Sequence, residues 1–167
     1  MADNGGFSLV EILAATLVLV MVTGLVATGV PAAFNAYKAV TDKGNAQVLM
    51  SMTLSSLRDE LDGAETLEAS SDGKSIAYSD SLTCVNKEIS NGDERTGITV
   101  TEGGTKSPLV SDTASVDLYA SFDSVAVDGG DILFSGIEVR RRNGSGNALA
   151  SRSSYRVESV AAKAAGQ

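Results

Sequence analysis

The sequence predicts an α+β chain: one long N-terminal helix, transmembrane in its first half, packed on a small antiparallel β-sheet domain. Three observations carry this. Charge is nearly absent from one end: the chain has 13 Lys or Arg and 21 Asp or Glu, yet only Asp3 and Glu11 precede Lys38. Apolar residues then recur at helical spacing as far as Leu61. Past Ala64 the pattern shifts to short alternating runs divided by Gly-, Asp- and Asn-bearing turns. The 167 residues suit one ordinary domain rather than two. The uneven charge excludes a single uniform globule and implies an apolar segment joined to a water-soluble one.

The apolar segment comes first. Residues 12–37 carry no charge, and Leu13, Leu17, Val18, Leu19, Val20, Met21, Val22, Leu25, Val26 and Val30 put apolar groups on every helical face. A bilayer core about 30 Å thick needs about 20 helical residues, so the run is long enough to span. A helix apolar all round belongs in lipid or in a deep core. A chain with 5% aromatics and no Trp builds no such core. A cleaved secretory signal would want a basic start and a shorter apolar stretch, whereas residues 1–6 hold no Lys or Arg. A plain anchor fits the length but gives no reason for a carboxylate at its edge, which is costly in lipid.

The string Gly6-Phe7-Ser8-Leu9-Val10-Glu11-Ile12-Leu13 gives Glu11 a reason. It resembles the processing site of type IV prepilins and pseudopilins, over roughly the first 30 positions. The resemblance implies a leader of residues 1–6, cleaved after Gly6 by a prepilin peptidase, and N-methylation of Phe7. The leader ends Asn4-Gly5-Gly6, without the basic residue usual in the family. It further implies partners: other pilin or pseudopilin subunits, an inner-membrane assembly platform and the lipid bilayer. The place implied is the cytoplasmic (inner) membrane, single-pass, then a cell-surface or periplasm-spanning filament. Glu11 would neutralise the Phe7 amine of a neighbouring copy. Two buried charges are costly singly and tolerable when paired, so such a pair sets register more than it stabilises. Gly24, Gly29 and Pro31 interrupt the run. Pro lacks the amide that bonds back along a helix, and Gly weakens it. In the family this region often loses helical form in filaments, so residues 24–31 are the expected helix-break, with a plain kink as the other outcome.

Residues 38–63 form the amphipathic second half. Met50, Leu54, Leu57 and Leu61 recur at spacings of three and four, and Val40 extends the stripe, interrupted at Lys43 and Gln47. Asp59, Glu60 and Asp62 lie off the stripe. Gly44 allows a bend, and Gly63 is a stop.

Residues 64–167 are the soluble β-rich domain. Strands are expected around Ile76, Ile98 to Thr101, Val116 to Phe122, Ile132 to Phe134, Ile137 to Arg140 and Tyr155 to Glu158. They are expected to form one antiparallel sheet with a face on the helix. Asn143-Gly144-Ser145-Gly146 reads as the turn before the last strand, and the tail from Ala161 as frayed.

Composition excludes several functions. A net charge of -8 argues against a general nucleic-acid binder. The absence of His removes His-based catalysis and His-ligated metals. The single Cys84 forms no internal disulfide. No enzyme, cofactor or metal centre is expected. Asp123, Asp128, Asp131 and Glu138 are a weak candidate for calcium, and Arg140-Arg141-Arg142 for phosphate, better read as a solvated hairpin end. The expected function is a filament subunit, a minor pilin or pseudopilin of a pilus, type II secretion or competence system. A membrane-anchored binding module without a filament is the alternative.

Overall fold

In a computed structural model of the chain, the described residues are 8–110, 117–142, 144 and 146–165. Helix α1 runs from Leu9 to Leu61, 53 residues without a break. The chain divides into two compact units between Thr41 and Asp42, inside this helix.

In the first unit the side chains of α1 are exposed all round, from Leu9 through Phe34 and Tyr37. The helix is long and apolar enough to cross a membrane, with none of its most apolar stretch buried. Residues 24–31 are helical throughout despite Gly24, Gly29 and Pro31.

In the second unit α1 buries Ala46, Leu49, Met50, Thr53, Leu57 and Leu61, at intervals of three and four but for the adjacent Leu49 and Met50. Leu54 is partly buried against this core. Val40 does not extend the stripe: it is 72% exposed and precedes the unit the stripe packs on. The last turn closes with the Asp62 amide on the Arg58 carbonyl at 2.9 Å.

The β-structure forms two antiparallel sheets rather than one. The first is a meander of β1 (Ala64–Ala69), β2 (Ser75–Asp80), β3 (Asn86–Asn91), β4 (Ile98–Glu102) and β5 (Thr105–Pro108), in that spatial order. Pro108 ends it, since proline has no amide for a further ladder bond. The second sheet is built on β8 (Asp131–Arg141). β6 (Leu118–Ser121) and β7 (Ser124–Asp128) pair with successive parts of one edge, and β9 (Ala150–Glu158) pairs along the other. Helix α2 (Val160–Ala165) follows, where a frayed tail was expected.

β8 is one strand where the sequence suggested two. Its interruption is Gly136, at φ +64, where a Cβ would collide with the Asp123 carboxylate. Glycine alone fits both the dihedral and the space. The face changes there: Ile132 and Phe134 are buried before it, Ile137 and Val139 after it. Phe134 meets Phe122 edge-to-face at 5.3 Å between centroids.

The two sheets join where β6 gives way to β7. The Val125 amide donates to Gly73 O at 2.8 Å, and Lys74 Nζ donates to Asp123 O at 2.6 Å. Asn91 closes both backbone groups of Phe122, donating to its carbonyl at 2.7 Å and accepting its amide at 3.1 Å. At the other end of β9, buried Ser159 donates to the Ala64 carbonyl and accepts the Ala162 amide at 3.2 Å, capping α2.

Candidate functional site

The candidate site is the start of α1. Gly6 and Phe7 lie outside the described residues. Glu11 stands in the first helical turn, exposed, and its amide donates to Ser8 O at 2.9 Å, with Ile12 donating to the same oxygen at 3.1 Å. Helix N-termini favour carboxylates, because their free amides carry partial positive charge. Ser8 three residues before Glu11 also matches a capping-box pattern, a local signal present in the sequence. Glu11 borders an apolar groove along the helix formed with Ile12, Ala15, Thr16 and Leu19.

The threonine hydroxyls of the apolar segment are satisfied within it. Thr16 donates to Leu13 O at 2.9 Å and Thr23 to Leu19 O at 2.7 Å. Thr28 reaches Gly24 O at 3.1 Å and Leu25 O at 3.2 Å. Such back-bonding suits a lipid environment, where no water supplies partners. Gly24 and Gly29 each leave open space where a side chain would stand.

The second unit brings together no metal site: among the described residues, no group of three or more Asp, Glu, Cys or His could hold an ion. Asp128 and Asp131 face each other across the β7–β8 turn. Glu138 is taken by Arg140 at 2.6 Å, and Asp123 packs against Gly136. The arginine run is engaged rather than merely solvated. Arg141 pairs with Asp42 of α1, and Arg142 donates to the Arg95 carbonyl at 2.8 Å. Asn143 and Ser145 lie outside the described residues. Cys84 is exposed, at φ 54 in the turn after β2.

One polar cluster was invisible in the sequence. Glu60 of α1 accepts from Tyr78 Oη at 2.7 Å and from Lys87 Nζ at 2.8 Å, and Asp80 lies 3.5 Å from Lys87. Burial pushes the Tyr78 hydroxyl far above its ordinary value, and the bond to Glu60 adds to it. The same carboxylate raises Lys87. The cluster ties helix to sheet, holding three elements in register. Compared with protein-family models, with curated proteins and with solved structures, the chain matches none.

Proposed function

We propose that the chain is a structural subunit of a type IV pilus-like filament, a minor pilin or pseudopilin of a pilus, secretion or competence system. In this reading a prepilin peptidase removes residues 1–6, Phe7 becomes the methylated N-terminus, and α1 holds the subunit in the inner membrane until the assembly platform draws it into a filament. The observation that carries the reading is Glu11: one carboxylate in the first turn of a helix whose next 26 residues, 12–37, bear no charge. In lipid such a group favours any partner that neutralises it, and the freed Phe7 amine of an adjoining copy is a cation at the matching depth. Residues 42–61 of α1 support the reading by packing into the β unit, which then travels with the anchor as one covalent piece.

The test is the mass of the N-terminus in native membranes and in sheared surface or periplasmic fractions. The expected product begins at methylated Phe7 and is present in both. A chain that retains Met1 and never leaves the membrane fraction would instead be a tethered binding module.

A further inference from the structure

We infer that the arginine-bearing β9 edge is a docking surface, and that its occupant is the acidic corner of residues 59–68 of a second copy of this chain. The inference rests on the assembly reading, and three observations carry it.

The first is the state of the sheet edges. An edge strand is a template for other chains unless it is blunted. β1 has a register irregularity between Ala64 and Leu67 and has α2 beside it. β5 is four residues long and ends in Pro108. Among the described residues β9 pairs only with β8; it runs nine residues and contains no proline. Beside it, Met50 and Leu54 of α1 with Leu149 and Ala150 form the floor of a shallow groove.

The second is segregated charge. Residues 140–156 hold five arginines and no acid, on a chain of net charge -8. Neighbours offset several of them: Glu138 holds Arg140, Asp42 holds Arg141, and Asp131 lies 3.6 Å from Arg156. Arg152 is different. It lies 5.6 Å over the Tyr155 ring, donates to Ser154 O at 3.2 Å, and meets no carboxylate among the described residues.

The third is the complement. Residues 59–68 hold five acids and no base. Glu60 is engaged by Lys87. Asp59, Asp62, Glu65 and Glu68 are exposed and meet no cation among the described residues. Within one chain the corner meets only the end of β9, through Ser159 and Ala64, and among the described residues none of these four acids pairs with Arg152 or Arg156. Complementary patches at different places on one molecule make a head-to-tail contact, which repeats along an open helix unless its rotation closes a ring; a filament requires such a contact and a two-fold dimer does not.

The test uses the full chain in its membrane with Cys84→Ser. Copies carrying Ser154→Cys are co-expressed with copies carrying Ala69→Cys, then mildly oxidised. Disulfide dimers are expected from the mixture and from neither variant by itself. Adding Arg152→Glu and Arg156→Glu to the first copy should cut the yield by about tenfold, because like charges then face each other, and Glu65→Arg with Glu68→Arg in the second should restore it. Dimers from Ser154→Cys by itself would mean a symmetric contact and overturn the inference, as would a yield indifferent to charge reversal. No dimers from a mixture in which both variants accumulate also overturns it, leaving lipid headgroups as the arginines' partner. Dimers from a chain that keeps Met1 and yields no filament would sink the assembly reading and leave the contact standing.

Discussion

Lys87 of β3 and Glu60 of α1 meet at 2.8 Å in a site that leaves their side chains only 14% and 26% exposed. The pair differs from a surface ion pair because Tyr78, itself 2% exposed, shares the same carboxylate oxygen. Removing the carboxylate leaves the buried Tyr78 hydroxyl without its acceptor and the Lys87 cation with only Asp80, at 3.5 Å. Glu60→Ala should therefore cost about 2–3 kcal/mol, whereas Lys87→Met should cost about 1 kcal/mol, because Tyr78 still satisfies Glu60. Denaturant unfolding of the full chain in detergent, followed by circular dichroism, measures both. Equal costs would show that the three groups do not act as a unit.

The same cluster sets an alkaline limit. Tyr78 and Lys87 both have raised folded values, so each favours its protonated form in the fold. Their contribution is fully present below the unfolded values, about 10 for both types, and is lost as pH rises above that. The melting temperature should fall steeply from about pH 10 upward. Tyr78→Phe should flatten that fall while costing about 1 kcal/mol at neutral pH. A variant with an unchanged alkaline slope would place the titrating group elsewhere.

Gly136 should tolerate no side chain. At φ +64, with the Asp123 carboxylate where a Cβ would stand, Gly136→Ala combines backbone strain with a clash. A loss of about 2–3 kcal/mol is expected. Adding Asp123→Ala should recover only part of it, since the dihedral cost remains. Full recovery in the double variant would show that the clash was the whole effect.

Glu11 has two local explanations that one substitution separates. Glutamine keeps the hydrogen-bonding group of a capping box but not the charge. Under the filament reading Glu11→Gln should insert normally yet fall about tenfold in sheared filaments, as a lost charge pair implies. Glu11→Ala should behave the same way. If Gln assembles like the native chain and only Ala fails, the residue is a helix cap.

The apolar span and the helix end were legible because periodicity and charge report them directly. Leu57 and Leu61 lie in the core as the spacing implied. Ala46 and Thr53 are silent in the sequence because small and polar residues weaken a stripe even when fully enclosed, and Leu49 because it adjoins Met50, one position off the stripe. Four strands left little trace. β1 reads Ala-Glu-Thr-Leu-Glu-Ala, as helical as it is extended. β3 buries only Ile89, and every residue of β5 is exposed, so neighbouring ladders hold them in place. β7 is short and merges with the end of β6 in the sequence. The Glu60 cluster joins residues 18 and 27 positions apart, a distance no local pattern spans. The seam between the two sheets rests on Gly73 and Asn91 reaching the β6–β7 junction, contacts that only the folded chain reveals.

The hydroxyls of Thr16, Thr23 and Thr28 each carry their acceptors with them along α1. A relocation of this segment from acyl chains to a proteinaceous neighbourhood ruptures none of those bonds. Under the filament reading the exchange is then settled by dispersion and shape, and extraction from the bilayer becomes a matter of finding equally close-fitting company.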